Sequence, residues 1–267
     1  TLFPGVNTTA LLVPGPCLTI TFCDYVFDEN CDMCLGGFPV YIYGIPSANE
    51  AGNTPVASFS NNAAEVGGAV AMLQTNSAAV VLGVDVTDNN AKTGGGGGIY
   101  LEAANSYTSF VRTHFARNKA ALVGGGLAVE VDNLGMIVSN CRFLSNSASS
   151  GGGLGFLSLN GATLASALGV SVSKSDFSSN SAVEGGAIYA FTSNVLNVSD
   201  SNIWSNVANS SGGGCYFGSS SKVLVQNAVL SMNSAPTGGA ISVDGKSGIS
   251  ILNVTSCDIM SNVAMIS

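Results

Sequence analysis

Charge is scarce in this chain. Only 9% of its residues are Asp, Glu, Lys or Arg, against roughly 25% in a typical soluble domain. The net charge of −8 comes from scattered single residues, so there is no clustered Lys/Arg surface of the kind nucleic acid requires. A single histidine leaves no Ser-His-Asp or metal-ligand spacing above background. Apolar runs are broken by Gly, Ser or Asn within a few residues, which excludes a transmembrane span. An initiator Met and a signal peptide are both missing, so the expectation is a processed chain or a fragment. Ordinary disordered chains are polar and charged, whereas the mean hydropathy here is +0.39. The apolar residues must be buried in something regular.

What is plentiful is Gly, at 34 residues, together with Ser, Asn and Ala in a repeat. Aligned on the Asn of FSSNSAVEGGAI, equivalent residues fall at Asn62, Asn90, Asn118, Asn146, Asn180, Asn206, Asn233 and Asn262, with spacings of 28, 28, 28, 34, 26, 27 and 29. A period near 28 signals a solenoid. Three residues before the Asn stand Phe59, Phe115, Phe143, Phe177, Ile203, Leu230 and Ile259, with Thr87 as the exception. Two residues earlier the position is small, as in Thr113, Cys141, Ser175, Ser201, Ala228 and Cys257. Further columns start at Leu82 and Val80, and on the other side of the Asn at Val70 and Met72. Paired columns two residues apart have the strand period. A helical repeat needs apolar spacings of three and four, and Gly in a helix interior costs roughly 1 kcal/mol each. The fold expected is all-β, a right-handed single-stranded parallel β-helix with about 28 residues and three short strands per rung. In it the Asn carboxamides form a structural ladder, the Phe column stacks in the core, and the Gly-Gly pair supplies positive φ and close approach to the next rung.

The pairing of F-x-x-N with G-G-A-I/L/V resembles the repeats of chlamydial polymorphic outer membrane proteins. The matches are FSNN with GGAV, FARN with GGGL, FLSN with GGGL, FSSN with GGAI, and the variant LSMN with GGAI. The resemblance covers residues 59–267 and implies surface display and adhesion. The chain departs from that family in having no outer-membrane barrel and in carrying sequons, which fits a eukaryote-like secreted protein.

Residues 1–48 do not follow the repeat and are expected to form an N-terminal cap, with the β-helix of about eight rungs over 49–267 and its last rung incomplete. The cap holds Cys17, Cys23, Cys31 and Cys34, read as two disulfides with three possible connectivities; Cys31-x-x-Cys34 is also the spacing of half a zinc site. Cys141, Cys215 and Cys257 read as buried small apolar residues. The spacing of 34 from Asn146 to Asn180 marks an insertion, expected as a loop over 154–172. Four Asn-x-Ser/Thr sequons, at Asn7, Asn197, Asn209 and Asn253, are candidates for N-glycans, with Asn197 and Asn253 in one solvent-facing register.

One outward column, His114, Arg142, Asp176, Asn202, Val229 and Asp258, places His, Arg and Asp on successive rungs. It is the best candidate for a catalytic site. Glycosidic hydrolysis needs two carboxylates at a defined separation, and no second acidic column is visible beside it. GGGGG at 94–98 lacks a following Lys-Ser, and GKS at 245–247 lacks the glycine five residues before its Gly, so neither is a P-loop. The reading that follows is a non-enzymatic extracellular structural protein. It needs no cofactor or metal, and it stacks head to tail with itself into a glycosylated filament or coat. A surface adhesin that binds polysaccharide through the 154–172 loop is the alternative, and a polysaccharide lyase or hydrolase comes third.

Overall fold

The computed structural model describes residues 18–21, 25–27, 33–35, 41–44, 57–73, 78–158, 160, 169–245, 248 and 250–264. Among these there is no helix. The strands stack in parallel from rung to rung on four faces. One rung shows the pattern. Ser109–Val111 runs along the first face, His114–Ala116 along the second, Lys119–Ala120 along the third and Leu127–Val131 along the fourth. Three of these are the strands expected from the paired columns. The fourth is a short segment just after the ladder Asn. It is too brief for a period-2 pattern to reveal, but it buries an alanine column that includes Ala64, Ala91, Ala120, Ala182, Ala208 and Ala235.

The first and fourth faces are nine-stranded and the second is eight-stranded. Register is kept throughout: Phe115 pairs with Val86 on one side and Phe143 on the other, and Phe143 with Phe177. The rings of Phe115, Phe143 and Phe177 lie nearly parallel, with centroids 4.7 and 4.6 Å apart, which is the strand spacing of a sheet. All three are fully buried.

The corners explain why the chain bends where it does. The residue just before each ladder asparagine has a φ between 53° and 59° or close to it, from Asn61 and Asp88 to Ser261. Only Asn, Asp and Gly visit this left-handed region readily, yet Arg117, Met232 and several serines occupy it here. The carboxamide that follows locks each corner. The other corners repeat the device: Arg112 precedes Thr113, Asp132 precedes Asn133, and Gly124 precedes Gly125. At the last of these the second glycine faces the next rung. A Cβ on Gly125 would overlap the carbonyl oxygen of Gly152, so only Gly fits.

In one rung the alignment shifts by one residue. The ladder member is Asn89, fully buried, and not Asn90, which lies half-buried in the short strand Asn90–Ala91. Val86, Val81 and Ala79 accordingly occupy the columns assigned to Thr87, Leu82 and Val80. The pair Asn89-Asn90 is ambiguous by sequence. Val86 settles it, because it restores an apolar residue where Thr87 was the exception. The insertion is also narrower than 154–172. Leu154–Ser158 and Val170–Ser173 are regular strands in register with both neighbours, and most of what lies between is outside the described residues.

At the N-terminal side, Tyr41–Gly44 pairs in parallel with Val80–Leu82, and Leu18–Thr21 then pairs antiparallel with Tyr41–Gly44. On the fourth face Met33–Leu35 joins Val70–Met72 in parallel and Tyr25–Phe27 turns antiparallel to it. Two of the four faces thus end in a reversed strand.

Candidate functional site

Inside the coil, most polar side chains stand in ladders, while Thr108 and Thr113 bond to backbone carbonyls. Asn146 shows the full valence of one member. Its Oδ1 accepts from both the backbone N–H and Nδ2 of Asn118, while its own Nδ2 donates back to the Phe115 carbonyl and onward to Asn180 Oδ1, all at 2.9–3.0 Å. Every donor and acceptor of the carboxamide is used. The ladder runs Asn62, Asn89, Asn118, Asn146, Asn180, Asn206, Asn233 and Asn262. A second ladder, unseen in the sequence reading, runs through Asn105, Asn133, Asn160 and Asn194 to Ser221. Its four asparagines are at most 1% exposed. Their spacings follow the same rung lengths, and that signal was present in the sequence. A third, shorter series links Cys141 N–H to Ser175 Oγ and Ser175 N–H to Ser201 Oγ, both at 3.1 Å.

The outward column on the second face is the place where reactive side chains meet. His114, Arg142, Asp176 and Asn202 occupy successive rungs in register. The structure adds Asp85 beneath His114, absent from the sequence column because of the one-residue shift; its Oδ1 lies 3.3 Å from His114 Nδ1. His114 Nε2 is shielded from solvent and has no hydrogen-bond partner. Asp176 accepts from the indole Nε1–H of Trp204 at 2.8 Å, and Trp204 was not singled out by the repeat. Asp85 and Asp176 lie three rungs apart on one strand face, with His114 and Arg142 between them, so they do not confront each other across a substrate as paired glycosidase carboxylates do. Among the described residues no group of three or more His, Cys, Asp and Glu is arranged to hold a metal ion.

A second outward cluster covers the fourth face. Tyr189 and Tyr216 stack at 5.2 Å, and Phe191 stacks on Tyr189 at 6.2 Å. Burial first, then the Glu184 charge, pushes the Tyr189 hydroxyl up to about 12. Tyr100 and Tyr216 are raised by burial and then by hydrogen bonds to Glu130 and Asp244. Burial also pushes the Cys141 and Cys215 thiols up to about 12, which makes them poor nucleophiles.

Of the sequons, Asn253 and Asn209 are exposed and Asn197 is half-buried, with its Oδ1 shielded and unpartnered. Asn197 and Asn253 do share a register, with Leu224 between them. Asn7, Cys17, Cys23 and Cys31 lie outside the described residues, and of Cys34 only the strand is described.

Lys174–Ala190 thus contains every element of a rung corner: the small Ser175, the stacked Phe177, the ladder Asn180, the glycine pair and the inward Ile188. Residues 174–190 match the Chlamydia polymorphic membrane protein repeat. That rung is similar to the repeat, and the matched positions are those that set geometry. No curated protein and no solved structure matches the chain. No helix among the described residues is long and apolar enough to cross a membrane.

Proposed function

We propose that the chain is a non-enzymatic structural module of an extracellular surface protein, joined end to end with copies of itself and carrying glycans at its exposed sequons. The observation that supports this most is the polarity of the asparagine ladder. Each carboxamide oxygen receives hydrogen bonds from the preceding rung, and each backbone N–H gives one to the following rung. A ladder of this polarity offers carboxamide acceptors towards one end and N–H donors towards the other, so a copy in the same orientation continues it. From rung to rung the contact is made by backbone strand edges and by the apolar columns stacked between them. Strand edges of this kind pair readily with another chain, and head-to-tail contacts that do not close make filaments. Among the described residues, reversed strands lie on the first and fourth faces and none lies on the second and third. The similarity to a repeat named for a membrane protein supports display at a cell surface.

Electron microscopy of the purified native protein tests the reading. Rods of constant width and variable length, shortened by Asn262→Ala, are the expected result. A monodisperse monomer at high concentration overturns it. Treatment with a glycosidase should lower the mass if Asn253 or Asn209 carries sugar.

A second reading, a surface adhesin for polysaccharide, is favoured by the aromatic and hydroxyl-rich outer surface; most of the 154–172 loop lies outside the described residues.

A further inference from the structure

A solenoid provides its own control. Each outward position recurs once per rung, so a residue the architecture does not need stands out against its neighbours in the column. Trp204 is such a residue. It is the only tryptophan in the chain. It lies on the outer side of the second face at 38% exposure, with Ile203 beside it pointing into the core. Its register partners on either side are Ser178 and Ser231, and the fold is continuous through both. Nothing in the rung calls for an indole there.

The ring is held in place. Its Nε1–H is bonded to Asp176 Oδ1, one rung back, at 2.8 Å. An aromatic side chain whose single polar atom is already satisfied, flanked by small residues above and below, presents its faces without further ordering. Around it are hydroxyl, amide and carboxylate groups: Asn202, exposed on the same strand, Ser231 on the next, and Ser205 at the corner. The charge of the column nearest to it is the Asp176 carboxylate, one rung back; Arg142 and Asp258 each lie two rungs away, on opposite sides.

We infer that Trp204, Asn202 and Asp176 form a binding platform for a neutral polysaccharide. The apolar C–H face of a sugar ring lies on the indole, and its hydroxyls bond to the amide and carboxylate that border it. An acidic glycan or a nucleic acid meets like charge there. The inference rests on the surface-exposed reading above but not on filament formation; a chain that assembles and does not bind sinks this inference alone.

The single tryptophan makes the test direct. The intact chain is titrated with soluble xylan and with a neutral glucan, with polygalacturonate as the acidic control. Indole emission and retardation in affinity gels are followed. A saturable emission change and retardation with a neutral polymer, and neither with polygalacturonate, are expected. Trp204→Ala should weaken retardation on the order of tenfold or more, Trp204→Phe less. Asn202→Ala, at an exposed position outside both ladders, should weaken it while thermal unfolding stays unchanged, which separates binding from folding. The proposal is overturned by the absence of any response to neutral polymers, by equal retention of wild type and Trp204→Ala, or by an emission change that follows protein concentration alone and accompanies dimers in sedimentation. The last result would assign the face to a second copy of the chain.

Discussion

The unit of stability in this molecule is one asparagine. Replacing Asn146 by Ala removes four hydrogen bonds and leaves the Asn118 N–H without its acceptor and the Phe115 carbonyl without its side-chain donor in a dry interior, while the Asn180 carboxamide oxygen keeps the backbone N–H of residue 146. At about 1–3 kcal/mol for each buried group left unsatisfied, Asn146→Ala should cost about 3–5 kcal/mol in denaturant unfolding. Asn90→Ala, outside the ladder, should stay within about 0.5 kcal/mol, and Asn89→Ala should behave like Asn146→Ala. A reversed order of the two neighbours would return the ladder to Asn90. The tyrosines give a second prediction. Because Tyr189 is held up to about 12 and Tyr100 and Tyr216 are raised as well, the folded state favours the neutral phenol. Its contribution is complete below the ordinary tyrosine value of about 10 and is lost as pH rises towards 12. Unfolding followed by circular dichroism should show stability falling across that alkaline window, and less steeply in Tyr189→Phe.

At the scale of the strand and corner, the glycine pairs are not interchangeable. The first of each pair needs positive φ; the second needs the absence of a side chain. A Cβ at Gly186 would overlap the Gly213 carbonyl oxygen and lie 2.8 Å from that of Val207, both backbone atoms of the next rung. Gly186→Ala should therefore cost more than about 2 kcal/mol by thermal unfolding, beyond the usual range for a surface change, because no side chain can move aside. Most of these elements were legible in the sequence. Alternation by two exposes a strand, a recurring Phe or Asn exposes a column, and Gly-Gly exposes a corner. What escaped has physical causes. The third-face strand is only two residues long in several rungs and carries Ala, which marks nothing. The second asparagine ladder stands eight residues after the second glycine of each pair, at Asn105, Asn133, Asn160 and Asn194, but it covers only four rungs before Ser221 replaces it, so it marks the repeat less than the first. The one-residue shift at Asn89-Asn90 followed from two adjacent asparagines. It removed Asp85 from the column that holds His114. Trp204 escapes for the opposite reason: recurrence marks a column, and a residue that occurs once leaves no mark in it.

For the molecule as a whole, contacts run between neighbouring rungs, and stability is a sum of similar interfaces. Hydrogen-exchange protection should therefore be highest in the rungs of Phe115 to Phe177, which have neighbours on both sides. It should decline towards residues 251–264, where Val254, Ile259 and Val263 are exposed. Uniform protection along the chain would show a single cooperative unit instead. The same geometry has a mechanical meaning. The hydrogen bonds of all four faces, and both asparagine ladders, point along the axis of the coil. Tension applied at its two ends therefore loads the rung-to-rung seams in series, as it loads the links of a chain. The weakest seam sets the breaking force, and adding rungs lengthens the rod without strengthening or weakening it. A coil of this kind is a spacer whose reach can change by whole rungs while its resistance to pulling stays the same.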